Sequence, residues 1–249
     1  MKLSGNTILI SGGGTGIGRS LAKQFLALNN KVVICGRRED RLKEVAQEFP
    51  GIHYKRCDIG NDADRQELFA YIKKDFPDMN VLINNAAIQS NYDLMTGTEG
   101  LKKVDEDLYI SLNAHIHMTG LFMPLLLQAK EAAVVNVSSV LAFMPLTRIP
   151  IYCAAKAALH AYTLVLRKQL EDTNVKIHEV APPKVETEIS LVAKDAKPGT
   201  EDPVGMDADV YVAAVIEALG KGVELVLYPP TEKFIYEMTR AESEILRLK

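Results

Sequence analysis

The chain is predicted to adopt an α/β fold, with a doubly wound parallel sheet of seven strands and helices on both faces. Two observations predict it. Short apolar runs of strand length alternate with stretches of helical periodicity along the whole chain, the mark of a parallel sheet. The first of these runs ends in a glycine-rich turn that opens directly into a helix, the Rossmann-type arrangement. Spacing is even and no Pro/Ser-rich linker intervenes, so residues 1–249 read as one domain.

The elements follow in order. Thr7–Ser11 reads as the first strand, and a helix runs from the glycine turn to about Asn29. Lys31–Cys35 is the second strand, Glu39–Phe49 a helix, Ile52–Arg56 the third strand and Asp62–Phe76 a helix. Asn80–Asn84 is the fourth strand; a polar loop and a long helix from about Asp105 to Lys130 come next. Ala133–Ser138 is the fifth strand, and Ile151–Asp172 a long helix for which Pro150 suits the start. Val175–Val180 is the sixth strand. Residues 188–206, rich in Lys, Gly and Pro, read as an irregular substrate lid. Asp207–Leu219 is a helix and Val223–Leu227 the seventh strand. In 231–249, Phe234, Met238, Ala241, Ile245 and Leu248 step by four, three, four and three, a helix whose narrow stripe suits docking on the chain's own core or a subunit seam.

Composition narrows the function. With 47% hydrophobic residues the chain can fill a sizeable core, and its net charge of -3 offers no basic field for nucleic acid. No run approaches eighteen uninterrupted apolar residues and the N-terminus lacks a signal-peptide pattern, so membrane insertion is not expected and a cytoplasmic location is. Cys35, Cys57 and Cys153 are too scattered for a disulfide framework. No metal site is expected: His115 and His117, two apart, point in different directions on a helix.

The turn Ser11-Gly12-Gly13-Gly14-Thr15-Gly16-Ile17-Gly18 has the spacing G-x-x-x-G-x-G. Glycine there permits positive φ, close backbone approach to a pyrophosphate and tight helix–strand packing, while the helix N-terminus offers free N–H groups to the anion. Gly36 stands at the end of the second strand, where an NAD site places an acid for the ribose 2′-hydroxyl, and Arg37 and Arg38 follow. Two guanidiniums suit a 2′-phosphate, so NADP(H) is expected ahead of NAD(H).

Tyr152 and Lys156 lie four apart, on one face of a helix. An ammonium beside a phenol lowers the phenol's pKa, and a tyrosine so tuned can exchange a proton with a carbonyl or alcohol oxygen.

Together these motifs resemble the short-chain dehydrogenase/reductase family over nearly the whole chain. The glycine turn is similar to its first motif, with Ser11 where threonine is usual. Cys57-Asp58-Ile59 resembles its adenine segment, which implies adenine contacts for Asp58 and Ile59. Asn84-Asn85-Ala86-Ala87 resembles its N-N-A-G motif, with Ala87 replacing glycine. The resemblance implies a catalytic tetrad of Asn113, Ser139, Tyr152 and Lys156, with the family spacing selecting Ser139 over Ser138. It implies that Lys156 holds the nicotinamide ribose and that Asn113 anchors a water linking Lys156 to solvent. Pro182-Pro183-Lys184-Val185-Glu186-Thr187 is similar to the P-G motif with Pro183 replacing glycine, which implies nicotinamide contacts for Thr187 and Val185 beside Pro182.

The resulting expectation is hydride transfer between NADP(H) and a carbonyl or alcohol substrate; a non-catalytic dinucleotide sensor on the same fold stays open. The substrate pocket is expected from 141–146, with Phe143 and Met144, from the loop after Ala87, with Gln89 and Tyr92, and from the lid, with Ile189, Leu191 and Val192. Arg148 and Lys194 are its candidate cations, and the rest suits a small or medium apolar ketone or aldehyde. Cys153 reads as a small packing residue or a redox switch. The resemblance further implies a homodimer or homotetramer through Leu112–Gln128 and Ala154–Leu170.

Overall fold

In a computed structural model, which describes residues 1–92, 95, 97–98, 103–191, 205–229 and 235, one seven-stranded parallel sheet organises the chain. Its strands are β1 (Thr7–Ser11), β2 (Lys31–Gly36), β3 (Ile52–Arg56), β4 (Val81–Asn84), β5 (Ala132–Val137), β6 (Val175–Val180) and β7 (Leu225–Val226), in the order β3-β2-β1-β4-β5-β6-β7. The helices are α1 (Gly16–Ala27), α2 (Glu39–Glu48), α3 (Asp62–Asp75), α4 (Val104–Leu108), α5 (Ala114–Gln128), α6 (Pro150–Gln169), α7 (Glu188–Leu191) and α8 (Ala208–Gly220).

Strand periodicity divides the core. Ile8, Ile10, Val32 and Ile34 point to one face and meet Leu21 and Phe25 of α1 and Val212 and Leu219 of α8. Leu9, Val33, Leu82 and Val134 point to the other, against Leu68 of α3 and Met118 and Phe122 of α5. Covering both faces explains why the central strands are apolar without alternation. Helix starts follow their local chemistry. The Asn61 side chain accepts from the Asp64 N–H at the start of α3, and Asp207 accepts from Asp209 and Val210 at α8. Pro150 occupies the first turn of α6.

Three differences from the sequence reading matter. The long helix expected over 105–130 is two α-helices joined by a π-helical turn, Tyr109–Asn113, the kind of local widening found at functional sites. The seventh strand is only two residues long. Of the expected lid, 188–191 form α7 and 205–206 rejoin the body through a bridge between Val185 and Met206, while 192–204, and with them Val192 and Lys194, lie outside the described residues. So does the expected C-terminal helix, apart from Ile235, which is buried beside Val140, Ala181 and Leu227. Val104–Gln128 is long and apolar enough to cross a membrane, but half of its most apolar window is buried, and α5 packs on the sheet.

The chain order reverses between β1 and β4. Loops leaving these strands diverge to opposite faces, and the gap between them is where doubly wound sheets bind ligands.

Candidate active site

A crevice of about 1730 Å³ opens at that reversal, at the carboxyl ends of the strands. At one end lie Gly12, Gly14, Thr15, Gly16 and Ile17; at the other lie Ser139, Tyr152 and Lys156. Arg37, Arg38, Asp58, Ile59, Asn85, Ala86, Ala87, Pro182, Val185 and Thr187 also line it.

The glycine turn is built for close approach. Gly12 and Gly16 have φ of +67° and +54°. A Cβ on Gly12 would meet the Ala86 Cα at 2.8 Å, and one on Gly16 would meet the Thr187 methyl at 2.8 Å. Gly18 is off the crevice wall; a Cβ there would run into the Gly12 carbonyl, so its smallness serves the packing of α1 on the turn. The Ser11 hydroxyl accepts from the N–H groups of Asn85 (3.0 Å) and Ala86 (3.2 Å), binding the two loops that flank the reversal. Thr15 caps α1 without a side-chain hydrogen bond, and no acid stands in the first turn, which leaves the helix N-terminus suited to an anion. The cradle, the open helix end and the adjoining guanidiniums fit a dinucleotide.

Arg37 and Arg38 both reach the crevice. The Arg37 guanidinium meets Glu106 at 3.1 Å, and Arg38 meets Glu188 at 2.6 Å and the Thr15 hydroxyl at 3.3 Å. Arg41 also lines this end and shares Glu188, at 3.6 Å. Sequence reading missed Arg41, which stands in the first turn of α2 just after its N-cap Arg38. These ion pairs are exposed and worth little in water, so a phosphate can displace them.

At the chemical end, Ser139 leaves the tip of β5, and its Oγ accepts from the Leu141 N–H at 3.1 Å. Tyr152 sits in the first turns of α6, buried against Ile149, Cys153, Leu141 and Ile189. Burial pushes its phenol up to about 12, and a hydrogen bond with Ser139 opposes the rise. Lys156, one turn on, is 1% exposed; burial pushes its ammonium down to about 7, opposed by the charge of Glu179. Its Nζ donates to the Val137 carbonyl at 2.7 Å and lies 5.6 Å from the centre of the Tyr152 ring. The expected lowering of the phenol's pKa is therefore reversed: both groups are buried, desolvation dominates, and the ammonium is spent on a backbone carbonyl.

Asn113 is a second correction. It is exposed on the outward side of the π-helical turn and absent from the crevice wall. Two residues earlier, Ser111 points inward, fully buried, donating to the Ile88 carbonyl (3.2 Å) and accepting from its N–H (3.4 Å). The wider turn sets which side chains face in: Ile110 lines the crevice and Ser111, Ala114 and His115 are buried, whereas Asn113 is not. The His115 Nε2 lies 2.7 Å from the Ala86 carbonyl, and burial holds the ring neutral, its pKa pushed down to about 3.

Around the phenol the wall is mostly apolar, with Ala87, Leu141, Ile149 and Ile189 packed there, and Leu146, Gln89, Tyr92 and Arg148 also line the crevice. Phe143, expected here, instead packs edge-on against His160 with ring centres 4.6 Å apart, and Met144 is exposed. Cys153 is buried, its Sγ accepting from the Leu146 N–H at 3.4 Å.

Known proteins share both the sequence and the architecture. A profile of the family described as short chain dehydrogenase matches residues 6–197. The uncharacterized oxidoreductase DltE of Bacillus subtilis is 42% identical over 246 residues, covering 99% of this chain and 96% of that protein. An NADP-dependent 3-hydroxy acid dehydrogenase of Schizosaccharomyces pombe is 30% identical over 77% of this chain and 76% of its own length. Among solved structures, a short chain dehydrogenase/reductase from Burkholderia phymatum in complex with NAD superposes with a TM-score of 0.84 at 20% identity, covering 98% of this chain and 96% of that one. The chain is thus an oxidoreductase similar to DltE and belongs to the short chain dehydrogenase family.

Proposed function

We propose that this protein is an NADP(H)-dependent reductase of carbonyl compounds, working in reverse on the corresponding alcohols. The observation that carries the reading is the shared crevice: a glycine cradle and a cluster of guanidiniums at one end, and the buried Ser139–Tyr152–Lys156 group among apolar side chains at the other. Arg37, Arg38 and Arg41 would hold the 2′-phosphate, Gly12–Ile17 the pyrophosphate, Asp58 and Ile59 the adenine end, and Asn85–Ala87, Pro182, Val185 and Thr187 the nicotinamide end. The bound nicotinamide supplies or accepts the hydride.

The chain's own residues handle the proton. A phenol raised to about 12 keeps its proton at neutral pH, so Tyr152 is poised as the general acid for carbonyl reduction. Ser139, already hydrogen-bonded to that phenol, donates to the substrate oxygen where negative charge develops, an interaction strengthened by exclusion of water. Lys156 stabilises the phenolate left after proton transfer and binds the nicotinamide ribose. The apolar lining favours a small or medium ketone or aldehyde without a charged tail. Exposed Ile116 and Leu127 on α5 and Val165 on α6 support pairing of two copies through these helices.

The test is NADPH oxidation over a panel of ketones and aldehydes, run beside a fluorescence titration of NADPH. Saturable turnover that prefers NADPH to NADH is expected. Tight NADPH binding with no turnover on any compound would mark a dinucleotide sensor instead.

A further inference from the structure

Glu179 is an expensive residue. It lies in β6, the strand between β5 and the short edge strand β7, paired in register with Asn136 of β5, and it is wholly buried. A carboxylate in such a place costs several kcal/mol unless it is hydrogen-bonded and charge-compensated, and a well-packed apolar replacement is often no less stable. Stability alone therefore gives no reason for an acid here.

Its contacts point to the active site. Oε1 accepts from the Ser138 hydroxyl at 2.5 Å, and Oε2 lies 2.8 Å from the His160 Nδ1. Ser138 stands between Val137, whose carbonyl receives the Lys156 ammonium, and Ser139. His160 is one turn beyond Lys156 on α6, the helix that also carries Tyr152. One carboxylate thus grips the strand end bearing Ser139 and the helix bearing Tyr152 and Lys156.

Charge points the same way. Among the described residues, the titratable groups bearing on Lys156 are Glu179 from β6, His115 from α5 and Tyr152 from its own helix, with His160 of that helix facing Glu179; the end of β5 contributes the Val137 carbonyl. His115 is neutral and Tyr152 carries its proton; Glu179, which also faces the His160 ring at 2.8 Å, is the acid whose charge favours the Lys156 ammonium.

Resting on the reaction proposed above, we infer that Glu179 is a positioning residue: from beneath the site its carboxylate fixes Ser139 relative to Tyr152 and is the counter-charge that keeps Lys156 in its ammonium form.

Glu179→Gln separates shape from charge, since glutamine fills the same space and still hydrogen-bonds. Its alkaline limb is expected about one pH unit lower than in the wild type, both in kcat/KM for NADPH with a ketone and in NADPH affinity read by fluorescence. Turnover at pH 7.5 then falls about tenfold while turnover at pH 5.5 stays within about threefold of wild type. Profiles that superimpose on the wild type overturn the inference. Ser138→Ala provides a second reading if Glu179→Gln does not fold. With the charge kept and one tether cut, kcat should fall about three- to tenfold with NADPH affinity and the alkaline limb unmoved. An unchanged kcat in Ser138→Ala overturns the tethering role. A wild type that reduces no carbonyl defeats the proposed reaction; an active wild type with an unshifted glutamine variant defeats only the role of Glu179.

Discussion

The Lys156 ammonium lies 5.6 Å from the centre of the Tyr152 ring and donates a hydrogen bond to the Val137 carbonyl, 2.7 Å away. The two residues are neighbours in a buried pocket, yet the cation does not turn the phenol into an acid at neutral pH. In the reaction proposed above, Tyr152 would therefore act as the proton donor, and the charge of Lys156 would matter after the proton has left. Tyr152→Phe should retain NADPH affinity within about threefold and lose about 10²–10⁴ in kcat with any carbonyl substrate. Fluorescence titration and steady-state turnover on the same preparation check this; near-wild-type kcat refutes the role.

Lys156 also sets a pH dependence. Its folded-state pKa is about 7, against an ordinary 10.5, so the unfolded chain binds this proton between those values while the folded protein does not. This group's contribution to stability therefore rises with pH from about 7 to 10.5, and its burial penalty is felt in full below 7. Activity should run the other way in the reductive direction: kcat/KM for NADPH declines above about pH 7 as Lys156 loses its charge. A profile flat from pH 6 to 9 would contradict this.

Removing Arg37 or Arg38 should weaken NADPH about tenfold or more and leave NADH nearly unchanged, because a charge-assisted hydrogen bond to phosphate is worth about 1.5–3 kcal/mol. Arg41→Ala should act in the same direction with a smaller effect. Equal losses for both cofactors would instead place these side chains away from the 2′ position.

Asn113→Ala should leave turnover and cofactor affinity within about twofold of wild type, since the side chain is exposed and outside the crevice. Ser111→Ala strips both backbone partners from Ile88 and should cost about 1–3 kcal/mol of stability. Thermal unfolding and a ketone KM distinguish the two.

Much of this was legible in the sequence. Strands such as TILIS announce themselves through β-branched residues bounded by turn signals, and the glycine turn and the Tyr152/Lys156 spacing are local patterns. What the sequence obscured was non-local. The inward side of 109–113 depends on one widened turn, which ordinary helical counting cannot reveal, so Asn113 was expected to face inward where Ser111 does. The pKa of Tyr152 depends on burial by Ile149, Leu141 and Ile189, from three different segments. Glu179 carried one overlooked flag, an acid in an otherwise core-forming strand, but its partners come from β5 and α6.

The contact between Gly16 and Thr187 joins segments 171 positions apart, and α7 begins at the very next residue. Whatever moves that short helix must also nudge the floor on which a pyrophosphate would rest. Exchanging α7 for a relative's segment will consequently disturb the glycine turn unless the threonine and the turn facing it are transplanted as a pair.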